Sequence, residues 1–539
     1  MPLRRRQMAM PSPLDTLWRM NHVIYDGPAL DQPIPQLTLP EFIRHSARQH
    51  SDKVALIDVL DGRSCSYADV DRLIGRVAAG LAAQHFMPGD TLMMFAPNLL
   101  EWPIVALGAM AAGGVVSAAN PAYAASDLAH QMRDAKARFI FTVPALLDCV
   151  REAAAQSDCK ILLLGDDAQA LSYASLISCA DPEPVVAANV HALAALPYSS
   201  GTTGLPKGVR LTHANLVANI CQTLQAVPVQ ETQVGLAILP MFHIYGFAVS
   251  TMGSLARGAT LVILPRFEPT TFLAAIQTHR VTRLNLVPPL VQFLAKSPLV
   301  DDYDLSSIQH MSSGAAPLGA AVAKMAADRL HCPIGQGLGM TESSGVIATS
   351  YPGRIREGAC GQLLPATQAR IVDPGTDDDL APGQPGEVWF KGPQAFGGYF
   401  GQPAASAAAL TPDGWVRTGD VGYFDEDGYL FITDRIKELI KVKGFQVAPA
   451  ELEALLFTHP AVADAAVIGR ADERSGEIAV AYVVVRGAFE PDAIMAWLAQ
   501  RVPDYKQLGA VLRCDAIPKT ASGKILRRAL RQLDSQRPA

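Results

Sequence analysis

Two rhythms of apolar residues divide the chain. Through its first three-quarters, short runs rich in β-branched, aromatic and other large apolar residues fall at 91–96, 138–142, 161–164, 259–264 and 283–287. Between or beside them lie Ala- and Leu-rich stretches with helical spacing, such as 67–85 and 99–112. Strands alternating with helices predict an α/β architecture with largely parallel sheets. Near Pro382 the rhythm changes. Pro382-Gly383, Pro385-Gly386, Asp413-Gly414 and Asp427-Gly428 punctuate short runs at 387–390, 415–418 and 429–433, the pattern of antiparallel hairpins. A Lys-rich segment follows Asp434. It leads into a compact unit with predicted helices at 451–457 and 491–501 and strands at 463–469 and 479–485. No internal repeat or low-complexity tract interrupts this order.

Length and charge sharpen the division. The 539 residues exceed what one hydrophobic core supports, roughly 250–300 residues, so more than one domain is expected. With 49% apolar residues the chain is not mainly disordered. A net charge of −6 gives no global basic field of the kind that marks a nucleic-acid binder. The charge is uneven, however. Residues 435–539 hold 16 Lys+Arg and 12 Asp+Glu, whereas the remainder holds 29 and 39. A basic module therefore follows an acidic one, either two domains that attract or a cap that meets polyanionic substrates.

Two uncharged stretches, 102–119 and 236–256, need a membrane test. The first is dominated by Ala and Gly and interrupted by Pro103; the second holds Pro240, His243 and Gly246. A spanning helix wants about 20 strongly apolar residues, so both read as buried core and no transmembrane segment is expected. The eight Cys show no C-x-x-C pair and no zinc-ligand spacing with His, which predicts unpaired thiols in a reducing compartment. The N-terminal MPLRRRQMAMPSPLDTLW has a basic stretch but no apolar run of signal length, and reads as a frayed terminus. The C-terminal SQRPA is not a peroxisomal signal. A cytoplasmic protein is expected.

Residues 198–210 read YSSGTTGLPKGVR. Gly201, Gly204 and Gly208 sit among the hydroxyls of Ser199, Ser200, Thr202 and Thr203, with Lys207 beside them. Glycine lets backbone N–H groups converge on an anion, hydroxyls add donors, and lysine supplies a mobile charge. This is the chemistry of a triphosphate-gripping loop, although the Walker spacing is not met.

The loop resembles the signature of the adenylate-forming enzymes, which include acyl-CoA synthetases, peptide-synthetase adenylation domains and luciferase-like proteins. Further segments follow in the family's order: PMFHIYG, SSGAAPLG, QGLGMTE, TGDVGYFDEDGY, DRIKELIKVKGFQVAPAELE and PKTASGKILRR. They extend the likeness from about Leu37 to Arg528 and resemble most the 4-coumarate–CoA ligase-like acyl-CoA ligases. The resemblance implies a large N-terminal domain, 1–434, of two α/β sheet subdomains plus a small β-barrel-like subdomain. A small mobile α+β C-terminal domain, 435–539, would follow. It implies ATP, Mg2+ and coenzyme A as cofactors, a carboxylic acid as substrate, and a monomer or homodimer.

Roles carry over residue by residue as expectations. His243 lies at the carboxylate entrance, where an isolated His in an apolar run would otherwise be a core residue. Gly314, Ala315 and Ala316 line the adenine pocket and inner acyl tunnel. Gln336, Gly337 and Leu338 continue the nucleotide site. Leu338 stands where the family usually has an aromatic, so a stacking contribution of about 1 kcal/mol is expected to be missing. Thr341 can donate to the α-phosphate. Glu342 is the Mg2+ ligand, because Mg2+ takes one or two carboxylates plus phosphate oxygens and water. Asp420 offers two acceptors to the ribose hydroxyls, its alternative being an Asx turn. Arg435 matches a ribose-contacting residue and Lys437 the hinge. Lys441 matches a residue of the thioester-forming arrangement. Lys443 and Gly444 match the coenzyme A side, where glycine would let the pantetheine arm pass. Lys524, after a Ser-Gly element, matches the catalytic lysine of adenylation. Tyr245, Val249, Gly345 and Val346 match the acyl pocket. Val249 and Gly345 replace a frequent polar residue and a usual proline, which implies a roomier, less phenol-specific site for cinnamate-like, aryl or medium-chain acids.

Lysine is scarce, 13 residues against 32 Arg, yet Lys207, Lys437, Lys441, Lys443, Lys519 and Lys524 all fall in these segments. A compact charge on a flexible stem suits groups that move or follow phosphate. The implied reaction is acyl-adenylate formation with loss of pyrophosphate, then acyl transfer to coenzyme A after the C-terminal domain turns about Lys437. Two alternatives are an adenylating enzyme that loads a carrier protein and a catalytically silent nucleotide-binding protein. The latter predicts erosion at Lys524, Glu342 or the loop, and none is seen.

Overall fold

The computed structural model describes residues 23–199, 206–520 and 523–536. Ser200, Gly201, Thr202, Thr203 and Gly204 lie outside the described residues. The chain forms a mixed α/β protein with a large N-terminal part and a small C-terminal one. Its first sheet runs in the order Lys207–Gly208, Leu193–Ser199, Val115–Ala118, Thr91–Phe95, Ala137–Thr142, Lys160–Leu163, Leu171–Ser172, with Leu211–Thr212 also pairing to Leu193–Ser199. The second runs Gln362–Leu363, Ala348–Thr349, Ile334–Leu338, His310–Ser313, Arg283–Leu286, Val234–Ala237, Thr260–Ile263, Val54–Asp58, Ser64–Ser66. Both are parallel at their centres; the second is antiparallel at both edges, the first only at its Lys207–Gly208 and Leu211–Thr212 side.

The helices between them explain the uncharged stretches. Tyr67–Ala83 starts where Ser66 Oγ accepts from Asp69 N at 3.1 Å and the Asp69 carboxylate accepts from Ser66 N at 3.2 Å, a reciprocal cap. Glu101–Ala111 packs against it, buried at all but its last residue. A Cβ on Gly108 would lie 2.4 Å from Val77 Cγ1, so glycine permits the close approach. This helix is apolar all round because it is enclosed by protein. Among the described residues no helix is long and apolar enough to cross a membrane. The second uncharged stretch holds the end of strand Val234–Ala237 and an eight-residue π-helix, Tyr245–Met252. A π-helix of that length is rare and π-turns gather at functional sites.

A third, antiparallel sheet joins Tyr25–Asp26, Gln368–Val372, Gly386–Lys391, Val416–Phe424 and Leu430–Arg435. Arg435 is the last residue of that strand, and the next strand, Ile440–Val442, belongs to a fourth sheet. The fourth sheet adds Phe445–Val447, Gly476–Val485, Val462–Asp472 and the parallel strand Leu508–Arg513. Helices Pro449–Leu456, Pro491–Ala499 and Arg527–Ser535 pack on it. It has hydrophobic clusters of its own, one around Leu452, Leu456, Ile494 and Leu498, the other around Tyr482 and Leu530. Among the described residues none of the eight cysteines is in a disulfide.

Candidate active site

The strand Ile334–Leu338 leads through Gly339 into a short 3-10 turn, Thr341–Ser343. A Cβ on Gly339 would fall 1.9 Å from the carbonyl oxygen of Gly345, so the fold of this loop requires glycine there. The turn buries Thr341 and Glu342. Glu342 Oε1 accepts from Ser199 Oγ at 3.0 Å and from the Tyr399 hydroxyl at 2.8 Å. The Lys207 ammonium stands 5.0 Å from the centre of the Tyr399 ring. Ser199 and Lys207 are themselves paired antiparallel, so the two ends of the Gly/Ser/Thr stretch meet at this carboxylate. Among the described residues no group of three or more His, Cys, Asp or Glu could hold a metal. A Mg2+ ion at Glu342 must therefore complete its shell with phosphate oxygens and water, as Mg2+ ordinarily does. The donor set fits a Mg–nucleotide and not a free-standing metal centre.

Asp420 and Arg435 face each other across neighbouring strands, and Arg435 Nε lies 2.8 Å from Asp420 Oδ1. Asp420 is buried; its N–H donates to Thr418 Oγ1 at 3.0 Å. Gly419 adopts a left-handed φ of 71° and donates its N–H to Glu387 Oε1 at 2.8 Å. The backbone at Asp420 is thus pinned, and its carboxylate has Arg435 as its single ion-pair partner among the described residues.

His243 precedes the π-helix. Burial, reinforced by the charge of Lys524, pushes its imidazole down to about 4, so it is neutral at physiological pH. Its Nδ1 accepts from Tyr245 N at 3.3 Å. The Tyr245 ring packs below Gly314, where an added Cβ would lie 3.3 Å from it, and its hydroxyl sits 3.5 Å from Ser312 Oγ. Ala315 holds a positive φ of 70°, an uncommon state for a residue with a Cβ, and one that costs of order 1–3 kcal/mol. Gln336 and Gly337 lie on the same strand as Leu338, which packs against the main core. Gly345 does not open the space its lack of a side chain promises. A Cβ there would meet Asn219 Oδ1 at 2.6 Å and Val249 Cγ2 at 3.0 Å. Asn219 also clasps the Val346 backbone, accepting from its N–H at 3.0 Å and donating to its carbonyl at 2.8 Å.

The C-terminal unit delivers Lys524 to this region. Gly523 approaches the start of helix Pro288–Lys296, its would-be Cβ 3.2 Å from the Pro289 ring. Burial, then the charge of Arg435, lowers the Lys524 ammonium to about 8, while Asp420 and Glu438 pull it up. Lys524, His243, Asp420 and Arg435 therefore share one electrostatic environment. Lys437, Lys441, Lys443 and Gly444 are not part of it; all four are exposed. Lys443 and Gly444 form the left-handed turn of a hairpin, with φ of 50° and 84°. The structure thus brings together Lys524, His243, Asp420 and Arg435, which the sequence assigns to adenylation, and leaves the expected coenzyme A residues on the surface.

Tyr399 escaped the sequence reading, although it ties Glu342 to Lys207. Its signal was faint: an aromatic hydroxyl following Gly397-Gly398, whose importance depends on the antiparallel bridge Val209↔Tyr399. Arg527, in the PKTASGKILRR segment, gave no sign in the sequence of being an interior charge. It is largely buried, and its guanidinium lies 2.7 Å from Glu453.

Parallel strands whose carboxyl ends carry these loops, with a basic cap over them, define a nucleotide-dependent ligase. The chain belongs to the AMP-binding enzyme family: the AMP-binding enzyme model matches residues 43–400, and that of the AMP-binding enzyme C-terminal domain matches 451–524. It is 40% identical over 494 residues to 4-coumarate–CoA ligase 1 of Petroselinum crispum, covering 89% of this chain and 91% of the relative. The ATP-bound MatB of Rhodopseudomonas palustris superposes with a TM-score of 0.85 at 28% identity, covering 93% and 99% of the two chains. A benzoate CoA ligase of Burkholderia xenovorans LB400 does so with 0.83 at 26%, covering 92% and 99%. The protein is an AMP-forming acid–thiol ligase, an acyl- or aryl-CoA synthetase that works with ATP, Mg2+ and coenzyme A.

Proposed function

We propose that the acid is a cinnamate-like or other aryl acid, or a medium-chain fatty acid, and that the reaction runs in two arrangements of the C-terminal unit. In the first, a carboxylate oxygen of the acid attacks the α-phosphorus of ATP. The bond to pyrophosphate breaks, and an acyl-adenylate forms. Two anions approach each other, so the barrier is largely electrostatic. Lys524 and Lys207 supply positive charge, Thr341 donates to the α-phosphate, and Asp420 with Arg435 anchors the ribose. Glu342 would hold Mg2+, which would supply charge neutralisation to the phosphates. Neutral His243, its Nδ1 already accepting from Tyr245 N, can donate from its Nε2–H to the entering carboxylate and order it.

In the second arrangement, the unit turns about Lys437. Lys524 leaves, and Lys441, Lys443 and Gly444 approach the site. The thiolate of coenzyme A attacks the acyl carbonyl and AMP departs. The observation that supports this reading is the division of lysines: Lys524 is held beside Asp420 and Arg435 while Lys441 and Lys443 face solvent. Eight cysteines without a disulfide support a cytoplasmic setting. A panel of carboxylic acids scored by kcat/KM tests the substrate class. Aryl and medium-chain acids should lead. Preference for short acids such as acetate would refute the assignment.

A further inference from the structure

The strand Arg283–Leu286 lies at the middle of the second sheet, where both faces are covered. Such strands ordinarily read as continuous apolar runs. This one alternates. Leu284 and Leu286 enter an apolar core, while Arg283 and Asn285 share the opposite face. The neighbouring strand repeats the pattern in register, His310 beside Arg283 and Ser312 beside Asn285. A patch of four polar side chains is thus built into the buried face of the sheet.

The patch borders a small cavity whose wall joins Asn219, Thr223, Arg283 and Asn285 to apolar side chains such as Ile220 and Val249. Val249 belongs to the proposed acyl pocket, and Asn219 holds the backbone of Val346. A chain of polar contacts runs back to the adenylate side: Asn285 Oδ1 accepts from Ser312 Oγ at 2.8 Å, and Ser312 lies 3.5 Å from the Tyr245 hydroxyl.

Arg283 is 9% exposed. It donates to the Pro228 carbonyl at 3.5 Å, the long limit of a hydrogen bond, and forms no ion pair among the described residues. Two neighbours are also unsatisfied: His310 Nε2 beside it and Thr223 Oγ1 across the cavity. Burial lowers the guanidinium only to about 10, so it stays charged, and burial with the Arg283 charge holds His310 neutral at about 3. A buried cation without an anion is costly, and natural proteins keep such groups where a ligand completes them. The other groups point to the same ligand. With the Asn285 oxygen already accepting, its amide N–H groups are left to donate, and the Thr223 hydroxyl can donate as well.

We propose that Arg283 determines acyl specificity, binding a carboxylate at the end of the substrate distal to the reacting carboxyl, so that the enzyme's preferred acids are diacids activated at one end. This rests on the proposed acyl pocket. An incoming carboxylate would replace the long contact to Pro228 with charge-assisted, bidentate geometry that guanidinium provides and ammonium does not.

Matched acids test it: cinnamate against 4-carboxycinnamate, and octanoate against suberate, each scored by kcat/KM for coenzyme A-dependent AMP release. In at least one pair the diacid should lead by about tenfold or more, the range of a hydrogen bond to a charged group. Arg283→Met should invert that ratio. Arg283→Lys, which keeps the charge, should retain a reduced preference and serves if the Met variant does not fold. Monoacids leading in both pairs, or a ratio unmoved in a folded Arg283 variant, would overturn the inference while leaving the ligase reading intact. If no acid of the panel released AMP, both would fall.

Discussion

Lys524 shows how one residue's surroundings set its chemistry. A lysine is ordinarily protonated well above neutrality, but the charged form is disfavoured where water is excluded. Here burial brings the ammonium down to about 8. On the proposed mechanism adenylation needs the charged form, so the rate should fall as pH rises through that value. The effect belongs in kcat/KM for ATP, which reports the free enzyme, because bound phosphates pull the pKa back up. A profile flat through this range would remove Lys524 as the titrating group. Replacing it tests the same role without pH. Lys524→Ala should reduce acid-dependent pyrophosphate exchange by at least about a hundredfold, the scale of losing one preorganised charge at a reacting oxygen. Thioester formation from supplied acyl-adenylate should survive. Equal loss of both half-reactions would mean that the lysine serves the fold or both steps alike.

At the scale of elements, the helix that follows Lys207 and Gly208 braces the Glu342 carboxylate. His213–Ala226 begins with Thr212 and Asn215 capping each other, Thr212 Oγ1 accepting from Asn215 N at 3.1 Å and Asn215 Oδ1 accepting from Thr212 N at 3.0 Å. The same Asn215 donates at 2.9 Å to the carbonyls of Pro393 and Ala395. That segment continues into Phe396, whose N–H donates to the Glu342 carbonyl, and Tyr399, whose hydroxyl donates to its carboxylate. Asn215→Ala should therefore cost about 1–2 kcal/mol of stability and also raise KM for Mg-ATP. A stability loss with KM unchanged would separate the cap from the site. Most strands and helices were legible in the sequence, since buried parallel strands and the capped helix at 67–83 carry strong local signals. The π-helix Tyr245–Met252 was not, because an uncharged run does not say which carbonyl each N–H will reach. Nor was the burial of Arg283. The sequence RLNL alternates like a half-exposed strand, and only its central position in the sheet makes the polar face an interior one. Tyr399 and the Asn215 brace likewise depend on contacts between residues far apart in sequence.

At the scale of the whole molecule, the two parts meet through a small buried charge cluster and a few direct contacts. Asp434, at the end of the third sheet, accepts from Ala450 N at 3.0 Å at the start of a C-terminal helix. Beyond it Glu453 accepts from Val467 N at 2.8 Å and pairs with Arg527. Burial outweighs the pull of Arg527 and raises the Glu453 carboxyl from 4.5 to about 7, and Asp434 shifts in the same direction. The folded state thus holds this proton to higher pH than the unfolded chain. Its contribution to stability is full below 4.5 and is lost as pH climbs through about 7. Glu453→Gln should flatten that slope in the melting temperature of the C-terminal unit, and an unchanged slope would assign the dependence elsewhere. The decisive experiment concerns movement. Gln292 Nε2, on the helix Pro288–Lys296, donates to the Ala463 carbonyl at 3.1 Å across the domain boundary. If the unit must turn to form the thioester, this contact has to break in every turnover. With Gln292→Cys and Ala463→Cys in one chain, closing the pair with a short bis-methanethiosulfonate cross-linker should leave acid-dependent pyrophosphate exchange nearly intact and lower thioester formation by at least about tenfold, since the closing step is gated by domain motion. Treated wild type controls for the native thiols. Reduction of the linker should restore transfer to coenzyme A. Undiminished transfer in the linked protein would show that Lys441 and Gly444 need not leave the surface, and the two-arrangement scheme would fail with them.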